Sequence, residues 1–293
     1  MQQTMDASLP LHSHSRALMP RNEFEALGAR CKAVEALRQA DPIVARVSSE
    51  SDEFVVMRLD GRAFHTFCKR DISRPHDAGL AACMCATAKA VFRDTNAIVA
   101  YVQSDEITVV IPMRSVPFGG RIQKLVSTTA SLATWAFAQA VRVNLPHKVD
   151  EVATFDARVF ACSAAQVVET LVWRQADAAR NNVSNAYRAR FGTHGGKDKE
   201  KDNGVGTRQK LCALEQVAFD WSTVPEYAKH GVFLYRAEVM REMTAEELAP
   251  IPLARRPVGP VRRHCIQQAE WPPLLCMSNA SDVIFSHATP VVV

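Results

Sequence analysis

Residues 97–111, AIVAYVQSDEITVVI, decide the fold. Two apolar, β-branched runs, 97–102 and 107–111, flank the polar quartet Gln103, Ser104, Asp105 and Glu106. Short runs separated by a few polar residues read as a β-hairpin. Toward the N-terminus, residues 78–93 are Ala-rich and predict a helix. Before them, residues 54–59 (FVVMRL) form a third β-prone run, which the turn signal Asp60-Gly61 stops. Toward the C-terminus the pattern predicts a helix over 121–141, a strand over 155–162, and a helix over 164–190 with a break near Asn181. A further helix precedes the set at 24–38, with Phe24, Leu27, Cys31, Val34 and Leu37 at helical spacing. Strand, helix, hairpin, helix, strand is the order of a ferredoxin-like βαββαβ unit. The expected class is therefore α+β: a ferredoxin-type βαββαβ core with helices on one face and a C-terminal extension.

Composition narrows the functional classes. The chain has 293 residues, 47% hydrophobic and 23% charged, which excludes a wholly disordered, collagen-like or coiled-coil protein. Net charge is +4, from 35 Lys and Arg against 31 Asp and Glu. That balance permits nucleic-acid contact without arguing for it, because such binding works through local patches. The eight cysteines show no disulfide-framework spacing; Cys83 and Cys85 lie in an apolar stretch and read as packing residues. The first twenty residues lack a basic start and apolar core, and no uncharged apolar run reaches about 18 residues. A cytoplasmic protein without a membrane partner is expected. The chain divides into a leader (1–21, with His12 and His14), a main domain (22–245) and a Pro-rich tail (246–293) carrying Arg255, Arg256, Arg262 and Arg263. The tail reads as irregular and only partly ordered. Gly-rich residues 192–206, with Lys197, read as a solvated loop.

The placement of acids is the informative feature. Asp60 ends one predicted strand, and Asp105 and Glu106 lie in the predicted hairpin turn. If the first strand lies beside the hairpin, Asp60 and Asp105 face each other at the sheet edge. Two such carboxylates repel, and a divalent cation relieves the repulsion. Mg²⁺ takes few carboxylates, its own waters and substrate phosphates, and two ions roughly 3.5–4 Å apart clamp a phosphoryl displacement. The plain alternative is that Asp-Gly is a common turn and that acids in hairpin turns are solvated. Around the pair, Gly61 permits close backbone approach, Arg62 can neutralise phosphate, Phe64 can stack on a base or pack, and His65 can touch phosphate or stay structural. The stretch 118–124, FGGRIQK, puts a Gly-Gly turn before a helix, with Arg121 and Lys124 on one helix face. A helix start bearing two cations suits a triphosphate.

Taken together, these segments resemble the tRNA-His guanylyltransferase family, and its guanylyltransferase-like branch in particular. The matching strings are RLDGRAFH (58–65), RPHD (74–77), QSDE (103–106), FGGRIQKLVS (118–127), FDARVF (155–160) and WRQAD (173–177), with a last echo from FDW (219–221) through Pro225 to KHG (229–231). They are collinear over about 24–243. The resemblance implies a palm-like catalytic domain and a nucleotidyltransferase working 3′-to-5′. The 5′ end of a tRNA is activated with ATP or GTP, and the 3′-hydroxyl of an incoming GTP or template-matched nucleotide attacks it. It implies two Mg²⁺ held by Asp60, the Gly61 carbonyl and Asp105, with Glu106 as a further catalytic acid. It implies nucleotide over Asp60, Gly61, Arg62, Ala63, Phe64, His65, Ser104 and Asp105, and triphosphate on Arg121 and Lys124. The partner would be tRNA, either tRNA-His or 5′-truncated tRNAs, rather than DNA, bound in part by Arg174, Arg180, Asn181, Arg188 and Lys197. A homotetramer is implied as well. Where the G-adding members carry His-Ile-Asn-Asn, this chain has Ala179-Arg180-Asn181-Asn182. That departure points to the template-dependent branch.

Two other readings use the same residues. A nucleotide or dinucleotide cyclase would place paired acids and two metals on the same palm, and the FGGR and WRQ strings argue against it. A non-catalytic RNA-binding module would be expected to lack one of the acids, and both are present.

Overall fold

The computed structural model describes residues 19–37, 47, 53–69, 72, 76–191 and 205–293. Most of the expected leader 1–21 (its residues 1–18) and most of the Gly-rich loop, with Lys197, lie outside the described residues. The elements are α1 (Arg21–Leu37), β1 (Phe54–Arg62), α2 (Ala78–Asp94), β2 (Val99–Gln103), β3 (Glu106–Pro112), α3 (Ile122–Asn144), β4 (Thr154–Cys162), α4 (Ala164–Phe191), α5 (Thr207–Gln216), β5 (Val232–Arg241), β6 (Val261–Ala269) and α6 (Ala280–Ser286), with single helical turns between some of them.

Six strands form one sheet in the order β4-β1-β3-β2-β5-β6, every neighbouring pair antiparallel. The first four give the ferredoxin-type arrangement expected from the element order. Strand alternation sorts side chains to two faces. Val55, Met57 and Leu59 of β1, with Ile107, Val109 and Ile111 of β3, pack under α2 and α3 beside Phe92, Leu125 and Phe137. Val56, Val110, Tyr101 and Phe160 face the other way, onto Val167 and Leu171 of α4. Helices α2 and α3 thus cover one face of the core, while α4 and the C-terminal segment cover the other. Helix α1 docks on α4 through Leu27, Cys31 and Trp173.

Three local expectations are corrected. Asp60-Gly61 does not stop β1, which runs through Arg62 because β4 pairs with it as far as Arg62, while β3 pairs as far as Asp60. The hairpin connection is two residues, not four: Gln103 and Glu106 pair, leaving Ser104 (φ 49°) and Asp105 as the turn. Helix α4 continues past Asn181, whose amide donates to Asp177 one turn earlier on the helix surface.

The C-terminal segment is also more regular than expected. Strand β6 pairs with β5 over nine residues, and Trp271, Leu274, Met277, Val283 and Ile284 are buried in the core beside α4. Trp271 stacks on Phe233 at 4.5 Å. The link to α4 is Gln175, whose amide donates to the His230 carbonyl (3.1 Å) and whose oxygen accepts from the Leu274 N–H (2.7 Å). Among the described residues no helix is long and apolar enough to cross a membrane.

Candidate active site

The antiparallel register brings the acids together. Asp60 is the cross-strand partner of Glu106 on one side and of Asp156 on the other. The Gly61 N–H donates to the Asp105 carbonyl at 2.9 Å, tying the end of β1 to the hairpin turn. The approach is so close that a Cβ on Gly61 would lie 2.8 Å from the Asp105 Cβ and 2.6 Å from Phe64 Cε2. Asp60 and Asp105, 45 positions apart in the chain, therefore meet at one sheet end.

Burial pushes the Asp105 carboxyl above its ordinary range, and the charge of Asp60 adds to that; its own backbone N–H and Ser104 pull the other way. A site of this kind favours either a proton or a cation on Asp105. Glu106 behaves differently. Its side chain lies inside the protein, with Arg174 Nε at 2.6 Å and Arg58 Nε at 4.0 Å. Burial pushes its carboxyl up, and the two guanidiniums oppose that. Arg174 in turn holds Asp177 at 3.2 Å. Glu106 is thus engaged by two cations, and with Asp60 and Asp105 it lines a cavity of about 380 Å³. The far walls of that cavity come from the start of α2, from α4 and from the Glu226–His230 turn. Its size suits a small ligand. At the start of α2, Asp77 caps the helix by accepting from the Leu80 N–H at 2.8 Å.

Among the described residues no group of three or more His, Cys, Asp or Glu forms a metal cage. Two carboxylates and the neighbouring Gly61 carbonyl nonetheless fit Mg²⁺, which binds through one or two carboxylates plus substrate phosphates.

The remaining expected residues divide. Ser104 shares the hairpin turn with Asp105, and Arg62 and His65 are exposed just beyond the acids. Ala63 adopts φ 61°, which turns the chain out of β1. The Phe64 ring is not available for base stacking. It lies buried with its centroid 5.1 Å from Phe137 and 5.3 Å from Phe155.

Arg121 and Lys124 are displaced from the acids. Strand β3 carries the chain from the acidic end of the sheet to its opposite end, where α3 begins. The far terminus of α3, Asn144, is the end beside Gly79 of α2. A 23-residue helix spans about 35 Å, so the two cations and the two aspartates occupy opposite ends of this chain.

Arg174 is not an exposed RNA contact, because Glu106 holds it inside. The Arg180 guanidinium lies 4.0 Å from the Phe24 ring centroid. Arg188 is exposed, and Asn181 lies at the cavity. Sequence reasoning did not single out Asp156, Gln175 or Asn182 as separate residues, although each falls within a string already quoted.

With that geometry in hand, the comparisons are informative. Residues 35–163 match the model of the tRNAHis guanylyltransferase family, and they contain both aspartates. Over those residues the chain is similar to that family. It is 28% identical over 234 residues to a probable tRNA(His) guanylyltransferase of Drosophila melanogaster, covering 76% of this chain and 79% of that protein. The tRNA(His) guanylyltransferase of Schizosaccharomyces pombe is 33% identical over 141 residues, 46% of this chain and 52% of that one. A bacterial tRNA(His) guanylyltransferase (Thg1)-like protein solved with ATP aligns at TM-score 0.57 and 28% identity, over 71% of this chain and 88% of that chain. The Saccharomyces cerevisiae enzyme aligns at TM-score 0.57 and 23% identity, over 68% and 91%, and bears on the fold alone. These named relatives are guanylyltransferases, which are transferase enzymes.

Proposed function

We propose that the chain transfers nucleotides to the 5′ end of tRNA, adding GTP or a template-matched nucleotide in the 3′-to-5′ direction after activation by ATP or GTP. The observation that carries this reading is the meeting of Asp60 and Asp105 at the mouth of a nucleotide-sized cavity. Bacterial relatives of the family have been solved with ATP and with GTP, which supports nucleoside triphosphates as ligands. The replacement of His-Ile by Ala179-Arg180 before the Asn pair favours templated addition.

In this reading Asp60, Asp105 and the Gly61 carbonyl hold two Mg²⁺. Bound there, Mg²⁺ supplies positive charge to phosphate oxygens and acidifies the attacking hydroxyl. The chain's own work is positioning. The Gly61 N–H fixes the Asp105 turn against β1. Arg174 and Arg58 hold Glu106, so that a buried charge beside Asp60 is neutralised rather than left to repel substrate phosphate. The cavity walls orient the nucleotide so that its 3′-hydroxyl can attack the activated 5′-phosphorus of the RNA, with AMP or pyrophosphate leaving. Proximity of this sort is a large part of phosphoryl-transfer catalysis.

The test is transfer from α-labelled GTP to a 5′-truncated, 5′-triphosphorylated tRNA, with Asp60→Asn and Asp105→Asn alongside wild type. Both variants should lose at least about a thousandfold in rate while keeping a cooperative melt. Transfer near the wild-type rate in both would overturn the site. A cyclic nucleotide formed without RNA would move the activity to the cyclase reading.

A further inference from the structure

Asn182 has no task in the mechanism above. It lies on α4 in the cavity wall, it is 4% exposed, and neither its amide nitrogen nor its carbonyl oxygen has a hydrogen-bond partner among the described residues. A buried polar group without a hydrogen-bond partner is costly, so an orphaned carboxamide beside a cavity calls for a ligand. Its polar neighbours on the helix are engaged: Asn181 donates to Asp177, and Asn185 accepts from Arg188. The cavity wall is mixed: Leu80, Met84, Ala178 and Val232 give it apolar patches between polar groups such as Gln103 and Tyr227.

Position selects the part of the ligand. Arg174, which holds Glu106, marks the acidic end of the cavity, and Asn182 lies eight residues further along the same helix, roughly 12 Å. That separation is comparable to the length of a nucleotide from its phosphates to its base. A neutral carboxamide, which brings no positive charge, is a poor partner for phosphate and a good one for a base edge, where a donor sits beside an acceptor. Rotation about χ2 exchanges the two, so one Asn can serve more than one base.

We infer that Asn182 is the base-contacting residue of the nucleoside triphosphate whose phosphates lie at Asp60 and Asp105; this rests on the cavity being the nucleotide site. The side chain supplies one N–H and one carbonyl oxygen to the base edge, and it disfavours a base that lacks one of the matching groups.

The test is equilibrium binding to the full chain, in Mg²⁺, of ATP and of purine-riboside triphosphate, which is ATP without its 6-amino group. Wild type should favour ATP by about tenfold, and Asn182→Leu, similar in volume but apolar, should discriminate by less than twofold. In Asn182→Asp, which offers two acceptors, preference should move toward GTP, whose base presents adjacent N–H donors. Melting curves accompany each variant. Equal wild-type affinity for the two purine nucleotides overturns the inference, whether or not the variants fold. So does a cooperatively folding Leu variant that discriminates as wild type does. A wild-type chain that binds no nucleoside triphosphate overturns the nucleotide-site reading itself, a result distinct from binding without discrimination.

Discussion

Gly61→Ala is the sharpest probe of how the two aspartates are held. Gly61 lies in β1 and is not among the residues with positive φ, so alanine meets no backbone penalty there and the effect is steric. The added methyl would sit 2.6 Å from Phe64 Cε2 and 2.8 Å from the Asp105 Cβ. The Phe64 ring is wedged among Phe67, Phe137 and Phe155, with centroids 5.1–5.7 Å away, so it yields little. The two-residue turn is the softer neighbour and moves instead. Overpacking of this kind costs about 1–3 kcal/mol, and loss of the 2.9 Å bond from Gly61 N–H to the Asp105 carbonyl adds about 1 kcal/mol. Stability should fall by about 2–4 kcal/mol, read by denaturant titration. Displacing Asp105 by even an ångström should lower nucleotide transfer about a hundredfold. A variant with unchanged stability and a rate within twofold of wild type would refute the close approach of β1 to the turn.

Two further perturbations test the charges. Asp105 carries a folded-state pKa above its ordinary value of 3.8, so the native state holds a proton more tightly than the unfolded chain. Its contribution favours folding below about pH 3.8 and is lost as pH rises through the raised folded value. Asp105→Asn should therefore melt higher than wild type at pH 7 in the absence of Mg²⁺, and it should respond less to added Mg²⁺. A lower melting point for the variant at pH 7 would count against the strain. Arg174→Ala removes the nearer partner of a buried carboxylate and leaves Glu106 with Arg58 at 4.0 Å. The expected loss is about 3–5 kcal/mol by denaturant titration; a loss under 1 kcal/mol would show that the pair is not the neutraliser described.

Much of the fold was legible because its signals are local. The runs 54–59, 97–102 and 107–111 are apolar and β-branched, and the Ala-rich run before them is long enough to be a helix and nothing else. The Asp60-Gly61 pair was misread for a physical reason: glycine serves both a turn and a close backbone approach, and only the neighbouring hairpin decides between them. The C-terminal segment escaped notice because its partners are remote. Leu274 is satisfied by Gln175, 99 positions earlier, and no periodicity within a proline-rich stretch records that. Arg174 is a similar case. A cation in a helix reads as a phosphate ligand until the acid it neutralises, Glu106, is found 68 positions away.

The placement of Arg121 and Lys124 carries the argument about the site one step further. Both cations follow a Gly-Gly turn, as a phosphate-binding helix start does, and nothing local separates them from one. The antiparallel order excludes that role within one chain. β1 arrives at the acidic end, β3 leaves it, and α3 must therefore begin at the opposite end. If one chain is to neutralise a triphosphate at Asp60 and Asp105, the sources near the acids among the described residues are bound cations and exposed groups such as Arg62. In the proposed function, nucleotide binding therefore rests on the pair of carboxylates rather than on Arg121 and Lys124 of the same chain.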